Sequence, residues 1–593
     1  MASFDIFNVL NLVCGLALFL YGMEIMGDAL KKSAGNNLKS ILGKMTTNPV
    51  TGFLLGLIVT AIIQSSSATT VMVVGFVNSG TMTLLQSVGV IIGANVGTAV
   101  TSWLTALSGI EVGEGAAAAL DVVKWLKPSA WMPILALIGI CLVMFSKRGK
   151  KKDVGVILLG FAILMVGMDI MSGSVEGLKD DEGFKSILTM FSNPILGVLA
   201  GLVLTAIVQS SSASVGILQS LTVTGAISYG AAIPIIMGQN IGTCVTAMIS
   251  SVGANKNGKR AALVHLYFNI IGVVVVLAIF YLLSALIAPI AEFAENTYID
   301  MWGVALVHTV FKVICVVILG PFYKLLAKLA TLTIKDGKEK ETENLLDERL
   351  LETPAFAVAR AAEVTAIMAN IATSALRDSL TLFDKYDPKL ADDIRDKETK
   401  ADVLEDALGS YLVKLSSCDM NLRDSRQITK LLHIIGDYER ISDHAVNIVE
   451  SAEEMRDKKI EFSQQAQYEL SVLRGAVEEI LSIARDAFLN DDIKRAADVE
   501  PLEQVIDMLR DKIKLNHILR LQKSECSIEH GFVLSDLLTN FERVSDHCSN
   551  IAGCVIEISQ YDALDMHKYL ADIRQGSERY DDKFKEYSHR YNI

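Results

Sequence analysis

Residues 60–70 read TAIIQSSSATT, and residues 205–215 read TAIVQSSSASV. Both strings lie inside apolar stretches, 50–78 and 195–223, that exceed the roughly 20 residues a helix needs to cross a bilayer. Four consecutive polar residues cut each stretch near its middle. Unpaired backbone at membrane depth is tolerated only where protein or a water-filled cavity covers it. Each stretch is therefore expected to form two half-helices meeting at QSSS, a re-entrant hairpin that enters and leaves on one side.

The two strings belong to a longer repeat. At an offset of 145 residues, Asn48-Pro49 meets Asn193-Pro194, and Gly93-x-Asn95-x-Gly97-Thr98-x-x-Thr101 meets Gly238-x-Asn240-x-Gly242-Thr243-x-x-Thr246. Between 48 and 101, 22 of 54 positions are identical. The matches include Gln, Asn and Pro, so low-complexity coincidence does not account for them. The same offset pairs Gly22-Met23-Glu24 with Gly167-Met168-Asp169. The repeats cover about 6–146 and 153–290. Besides the hairpins, helical spans are expected near 6–27, 84–107, 130–146, 153–172, 229–251, 261–290 and 302–330.

Charge divides the 593 residues in two. Residues 1–333 carry 19 Lys+Arg and 15 Asp+Glu, a net of +4, and the remainder carries 35 and 52, a net of −17. A mean hydropathy of +0.40 thus averages a membrane half and an acidic soluble half. Collagen-like, disordered and disulfide-scaffold classes are excluded, and so acidic a half is not expected to bind nucleic acid. The eight cysteines have no CxxC or zinc-ligand spacing and read as reduced, buried thiols. The first apolar run lacks a basic flank and a small-residue cleavage site, so it is not read as a cleaved signal.

If the hairpins do not cross, three spans separate equivalent points, and the repeats are inverted. Lys31, Lys32, Lys39 and Lys44 then share a side with Lys147, Arg148, Lys150, Lys151, Lys152, Lys256, Lys259 and Arg260, and with the soluble half. Glu111, Glu114, Asp121, Asp180, Asp181, Glu182, Glu292, Glu295 and Asp300 face the other way. The positive-inside rule places the soluble half in the cytoplasm and the first half in the lipid of the cytoplasmic membrane.

Broken apolar segments at matching places in inverted repeats point to a midplane binding site. From 48 to 101 and from 193 to 246 there is no Asp, Glu, Lys, Arg or His. What remains is hydroxyls, amides and the free N–H groups at half-helix starts, which together suit an anion. Oxygens around the same breaks suit a hard cation. A dehydrated anion there has no fixed positive charge beside it, and burying an uncompensated ion costs several kcal/mol or more. Co-bound cations would offset that cost. The competing reading, small residues packing a helix bundle, accounts for one serine-rich segment but poorly for two motifs duplicated at one offset. Glu24 and Asp169 are membrane acids, but they lie near span ends where side chains reach water.

TAIIQSSSATT and TAIVQSSSASV, each followed by GANVGT or GQNIGT, resemble the type II sodium–phosphate cotransporters over residues 1–330. That resemblance implies sodium-coupled movement of inorganic phosphate between the hairpins. By motif it implies phosphate contacts from Ser65, Ser66, Ser67, Ser210, Ser211 and Ser212, with Asn95 and Asn240 close by. It ties Gln209, Ser210, Thr243 and Thr246 to sodium, with Gln64, Thr98 and Thr101 as their repeat partners. Gln239 stands where members of that family often have a smaller residue.

Residues 331–354 are polar and end at Pro354, which marks a linker. The region 355–560 has helical periodicity and is expected to form six main helices in two three-helix units, with a polar helical tail over 561–593. It repeats as well. Tyr438-Glu439-Arg440-Ile441-Ser442-Asp443-His444 aligns with Phe541-Glu542-Arg543-Val544-Ser545-Asp546-His547, and Glu398-x-x-x-Asp402 aligns with Glu503-x-x-x-Asp507. ExxxD places two carboxylates on one helical face. Four such elements in matched pairs point to a cation between them, magnesium, calcium, manganese or iron by donor type. His444 and His547 read as packing residues or as further ligands. The doubled ERxSDH is similar to the PhoU-like domains, which implies a metal-binding regulator of phosphate homeostasis and a cytoplasmic partner.

The sequence thus points to an all-α chain: a membrane bundle with inverted repeats and two re-entrant hairpins, then a cytoplasmic PhoU-like helical bundle. The leading functional reading is a sodium-coupled phosphate transporter. Phosphate efflux, another anion on the same scaffold, and a phosphate receptor without net flux are the alternatives. No nucleophile–base set or phosphate-loop motif suggests an enzyme.

Overall fold

The computed structural model describes residues 5–45, 48–109, 128–146, 150–179, 181–335, 345–560 and 578–593. The chain divides into two compact units, Met1–Phe356 and Ala357–Ile593. Regular structure among the described residues is helical, apart from one β-bridge between Ser228 and Tyr298.

In the first unit, α1 (Ile6–Met45) leads to α2 (Pro49–Ile63), α3 (Ser66–Asn78) and α4 (Leu84–Ala106), then α5 (Pro128–Phe145). The second repeat supplies α6 (Lys150–Val175), α7 (Glu182–Met190), α8 (Pro194–Val208), α9 (Ser211–Thr222), α10 (Tyr229–Gly242), α11 (Cys244–Ser250) and α12 (Lys256–Leu286). Helices α13 (Ala288–Asn296), α14 (Met301–Leu319) and α15 (Tyr323–Thr333) follow.

QSSS acts as a helix stop joined to a helix start. Gln64 and Gln209 take left-handed φ values of 59° and 55°, ending α2 and α8. Such a φ is uncommon outside glycine. The next residue is extended and caps the following half-helix: Ser65 Oγ accepts from Ala68 N at 3.1 Å, and Ser210 Oγ from Ala213 N at 3.2 Å. Serine is favoured there because its oxygen satisfies an N–H that the helix leaves free.

The hairpins are re-entrant. A Cβ on Gly56 would lie 2.0 Å from Val90 O, one on Gly93 1.9 Å from Phe53 O, and one on Gly89 2.5 Å from Pro49 O. Helices α2 and α4 therefore run side by side in one direction, backbone on backbone. Only residues 79–83 join α3 to α4, so α3 returns to the end where α2 began. Gly201 and Gly238 repeat the arrangement: a Cβ on either would lie 2.0 Å from the facing carbonyl, Ile235 O or Val198 O.

The inversion is visible in α1 and α6. Gly15 packs on Gly167 and Met171, while Gly22 packs on Gly160 and Leu164. The pairs advance in opposite senses, so the helices are antiparallel. Gly15 and Gly22 correspond to Gly160 and Gly167 at the repeat offset, and the swap returns the same contacts. Equivalent helices that are antiparallel mean inverted repeats.

Among the described residues, seven helices are long and apolar enough to cross a membrane, six of them in the first unit. The outward faces of those six carry exposed Val13, Val274, Leu282, Leu286 and Val317, a surface suited to lipid rather than water. The seventh, Pro354–Thr381, opens the second unit. Its Ala361, Val364, Met368, Ala372 and Leu376 are fully buried at helical spacing, which makes it a core helix.

The span expected over 229–251 is met by Tyr229–Ser250. Thr243 lies between α10 and α11 with helical φ and ψ of −59° and −27°, and its Oγ1 donates to Gln239 O at 3.0 Å, the back-bonding that bends helices. Two other expectations need correction. The span expected over 261–290 stops at Leu286, where Ile287 turns extended and Pro289 opens α13. The cysteines are free, but not all buried: Cys14 and Cys141 are exposed, and Cys418 and Cys526 half-buried. Glu111, Glu114, Asp121, Lys147, Arg148 and Asp180 lie outside the described residues, as do the side chains of Lys39 and Lys44.

Among the described residues, the second unit has six main helices: α16 (Pro354–Thr381), α17 (Pro388–Ser416), α18 (Leu422–Lys458), α19 (Gln464–Asn490), α21 (Val499–Gln522) and α22 (Ile528–Gln560). The four-residue α20 (Ile493–Ala496) precedes α21, and α23 (Glu578–Arg590) lies in the tail.

Candidate functional site

The half-helix starts carry unengaged donors. Ser65 and Ser210 spend their side chains on capping, but the hydroxyls of Ser66, Ser67, Ser211 and Ser212 have no hydrogen-bond partner among the described residues. Ser66, Ser211 and Ser212 are nonetheless buried. Their backbone N–H groups occupy first-turn positions, which no intrahelical acceptor serves. Each motif thus aims hydroxyls and N–H groups, at the positive end of a helix dipole, into a buried place.

The amide and threonine residues differ between repeats. Thr101 Oγ1 donates to Gln64 Oε1 at 2.7 Å, and Gln64 Nε2 donates to Ala61 O, so the first tip is closed on itself. Gln209 is exposed, and its side chain makes no hydrogen bond among the described residues. Thr246 Oγ1 donates to Thr243 O at 2.9 Å. Asn95 and Asn240 are buried and donate along their own helices, to Ile91 O at 3.5 Å and Ile236 O at 2.8 Å. In the second repeat, Gln239 Oε1 and Thr205 Oγ1 are buried oxygens without a partner, an arrangement that costs about 1–3 kcal/mol each unless something else fills it.

One expectation needs correction. A lysine does reach the first GxNxGT element, from outside both repeats. Lys312 on α14 is 3% exposed, and its Nζ donates to Asn95 O and Thr98 Oγ1. A search confined to 48–101 and 193–246 misses it. The available signal was the one lysine inside the apolar run 302–322, since membrane-buried ionisable residues are functional candidates by default. Helix α14 also brings His308 Nδ1 to 2.8 Å from Ser102 Oγ. Gln219 ties the second hairpin to α4, accepting from Thr105 Oγ1 at 2.6 Å.

In the second unit, α18 and α22 are antiparallel duplicates. His547 Nδ1 lies 2.9 Å from Asp437 Oδ1, and His444 Nδ1 lies 2.8 Å from Asn540 Oδ1. The rings are 5.7 Å apart. These histidines fasten the duplicated helices together and are packing residues.

The four ExxxD elements do not form one four-carboxylate cage. Among the described residues no three His, Cys, Asp or Glu side chains are arranged to hold a metal ion. In one cluster, Arg510 meets Glu542 at 2.5 Å and Asp507 at 3.2 Å, so a guanidinium supplies the charge expected of a cation. Burial, then Glu542 and Asp507, push the Asp546 carboxyl above its usual range. Glu503 is buried beside Gln504, whose Nε2 donates to it at 2.9 Å. The other cluster is more open. Asp402, Glu405 and Glu439 line a polar cavity of about 500 Å³. Asp443 is one turn from Glu439, and Glu398 one turn before Asp402. Arg440 only skirts this group, at 3.4 Å from Glu439 and 3.5 Å from Asp443. Burial, then the Asp443 charge, push the Glu439 carboxyl up to about 7.

That shift predicts a pH dependence. Between the ordinary value of 4.5 and about 7, the native chain holds a proton that the unfolded chain has released. Stability therefore falls as pH rises through that window and levels off above it. Thermal melts of the full chain across this range should slope downward, and Glu439→Gln should flatten them. Equal slopes in both proteins would count against the assignment.

Duplicated half-helix starts in an inverted helical bundle define the class: a multi-pass membrane carrier with an appended helical domain. The model of the Na+/Pi-cotransporter family matches residues 18–173 and 171–294, and that of the PhoU domain matches 365–452 and 470–555. The Escherichia coli (strain K12) protein named "Putative inorganic phosphate export protein YjbB" is 25% identical over 560 residues, 93% of this chain and 98% of its own. YqeW of Bacillus subtilis (strain 168), an uncharacterized protein, is 32% identical over 265 residues, 44% of this chain and 79% of its own. Sodium-dependent phosphate transport protein 2B of Homo sapiens is 40% identical over 133 residues, 21% of this chain and 19% of its own. The chain belongs to the Na+/Pi-cotransporter family and carries a C-terminal PhoU region.

Proposed function

We propose that this protein couples sodium to the movement of inorganic phosphate across the cytoplasmic membrane, with residues 1–330 as the transport domain and 355–560 as a cytoplasmic regulator. The observation that carries this reading is the pair of QSSS half-helix starts, whose Ser66, Ser67, Ser211 and Ser212 hydroxyls are unengaged beside free N–H groups. Those donors would hold phosphate oxygens. Sodium would be taken by second-repeat oxygens, with Gln209, Ser210, Thr243 and Thr246 as the set and the orphaned Gln239 Oε1 and Thr205 Oγ1 in support. A coupled carrier runs in whichever direction the combined gradients dictate, so efflux is a second reading, favoured by the export named for the relative of nearly full length. Phosphate counterflow in proteoliposomes tests carriage itself: exchange across the bilayer supports a carrier, and binding without exchange supports a receptor.

For the regulator, a divalent metal would suit one cluster only, and would have to draw its carboxylates together, since no three among the described residues are arranged for it. Asp402, Glu439 and Asp443, with Glu405 and Glu398 alongside, present acidic oxygens around an open cavity, and a cation there would relieve their repulsion. At Asp507, Glu542 and Asp546 the Arg510 guanidinium already does this. Asp443→Asn is expected to lower the metal recovered with purified protein more than Asp546→Asn does. Equal metal content in both would contradict the assignment.

A further inference from the structure

Lys312 is the single Lys, Arg, Asp or Glu in α14. No carboxylate among the described residues pairs with it. Its ammonium instead rests on two oxygens of the first GxNxGT element, Asn95 O and Thr98 Oγ1, and Thr98 Oγ1 itself donates to Asn95 O at 2.7 Å. The repeat offset converts that pair into Asn240 O and Thr243 Oγ1. No cationic side chain among the described residues reaches these. Thr243 Oγ1 turns to Gln239 O, and Gln239 Oε1 is left without a partner. The same motif therefore occurs twice, once with a tethered ammonium on it and once without.

We propose that Lys312 is a built-in cation: in the first repeat it holds the place that a coupling sodium takes in the second, and it supplies a fixed positive charge for the bound anion. This rests on the sodium-coupled phosphate reading above. A carbonyl and a hydroxyl oxygen are acceptors for either sodium or an ammonium, and both ions carry one positive charge. A buried ammonium with no carboxylate is expensive, and a bound phosphate would compensate it. The other titratable groups that act on Lys312 are His265 on α12, and His308 and Cys315 on α14. None of them supplies a fixed negative charge at the site.

The test counts ions. Wild-type protein, Lys312→Ala, Lys312→Met, Thr98→Val and Thr243→Val are reconstituted into proteoliposomes, and labelled sodium and labelled phosphate are followed together. Sodium-dependent phosphate flux in the wild type secures the underlying reading; its absence would sink that reading rather than this one. Alanine frees the two oxygens, so Lys312→Ala should carry one more sodium per phosphate and depend more steeply on sodium. Methionine fills the space with apolar atoms, so Lys312→Met should lose flux about tenfold or more at every sodium concentration, the scale of one charge-assisted contact. Thr98→Val should lower maximal flux without moving the half-saturating sodium concentration, while Thr243→Val raises it. An unchanged sodium-to-phosphate ratio in Lys312→Ala would overturn the proposal. A Thr98→Val shift in half-saturating sodium as large as that of Thr243→Val would also overturn it, and this comparison decides the matter if Lys312→Ala fails to fold.

Discussion

Gly238→Ala should yield no folded transporter. A Cβ at that position would meet Val198 O at 2.0 Å and its carbonyl carbon at 2.7 Å. The colliding atoms are backbone, so no side-chain rotation relieves the overlap, and α8 would have to separate from α10. Core overpacking ordinarily costs about 1–3 kcal/mol. Here the strain falls on two helices at once, and the upper end of that range or beyond is expected. Separation would also remove the seat of the second hairpin, so phosphate flux should vanish with the fold. Gly173→Ala is the matched control, because nothing lies within 4 Å of its Cβ position; it should fold at least as well as the parent, alanine being the better helix former. Yield, monodispersity in detergent and melting temperature check both. A Gly238→Ala protein with parental stability and flux would contradict the backbone-on-backbone packing.

Ser211→Ala and Thr243→Ala should separate the two solutes. Ser211 is 6% exposed, stands first in its half-helix, and has no partner for its hydroxyl among the described residues. Removing a hydrogen bond to a charged group costs about 1.5–3 kcal/mol, so phosphate binding should weaken roughly ten- to a hundredfold with the sodium dependence little moved. Thr243 lies between α10 and α11, and Thr243→Ala should chiefly raise the half-saturating sodium concentration. Kinetics over a grid of phosphate and sodium concentrations resolves the two effects. Equal, sodium-independent losses would argue against separate roles.

Much of this architecture is written locally. QSSS announces a helix stop and start because four polar residues cannot lie inside a lipid-facing helix, and Asn48-Pro49 and Asn193-Pro194 are cap and first-turn signals. The repeat offset carries the inversion, since charge alone places the loops. What local patterning does not carry is contact between distant segments. Lys312 is 214 residues from Thr98, and nothing in the spacing of either element forecasts their meeting. The asymmetry at Thr243 is hidden for a similar reason: GANVGT and GQNIGT read alike, yet Thr98 Oγ1 turns to Asn95 O and Thr243 Oγ1 to Gln239 O. In the second unit, four ExxxD elements look equivalent as strings. The structure distinguishes them because Arg510 serves one cluster and not the other.

The most direct measurement is uptake of radiolabelled phosphate into proteoliposomes driven by an inward sodium gradient alone. The proposed account predicts accumulation above the external concentration, abolished when sodium is replaced by a large organic cation. Equilibration without accumulation, at the same rate in either medium, would contradict sodium coupling.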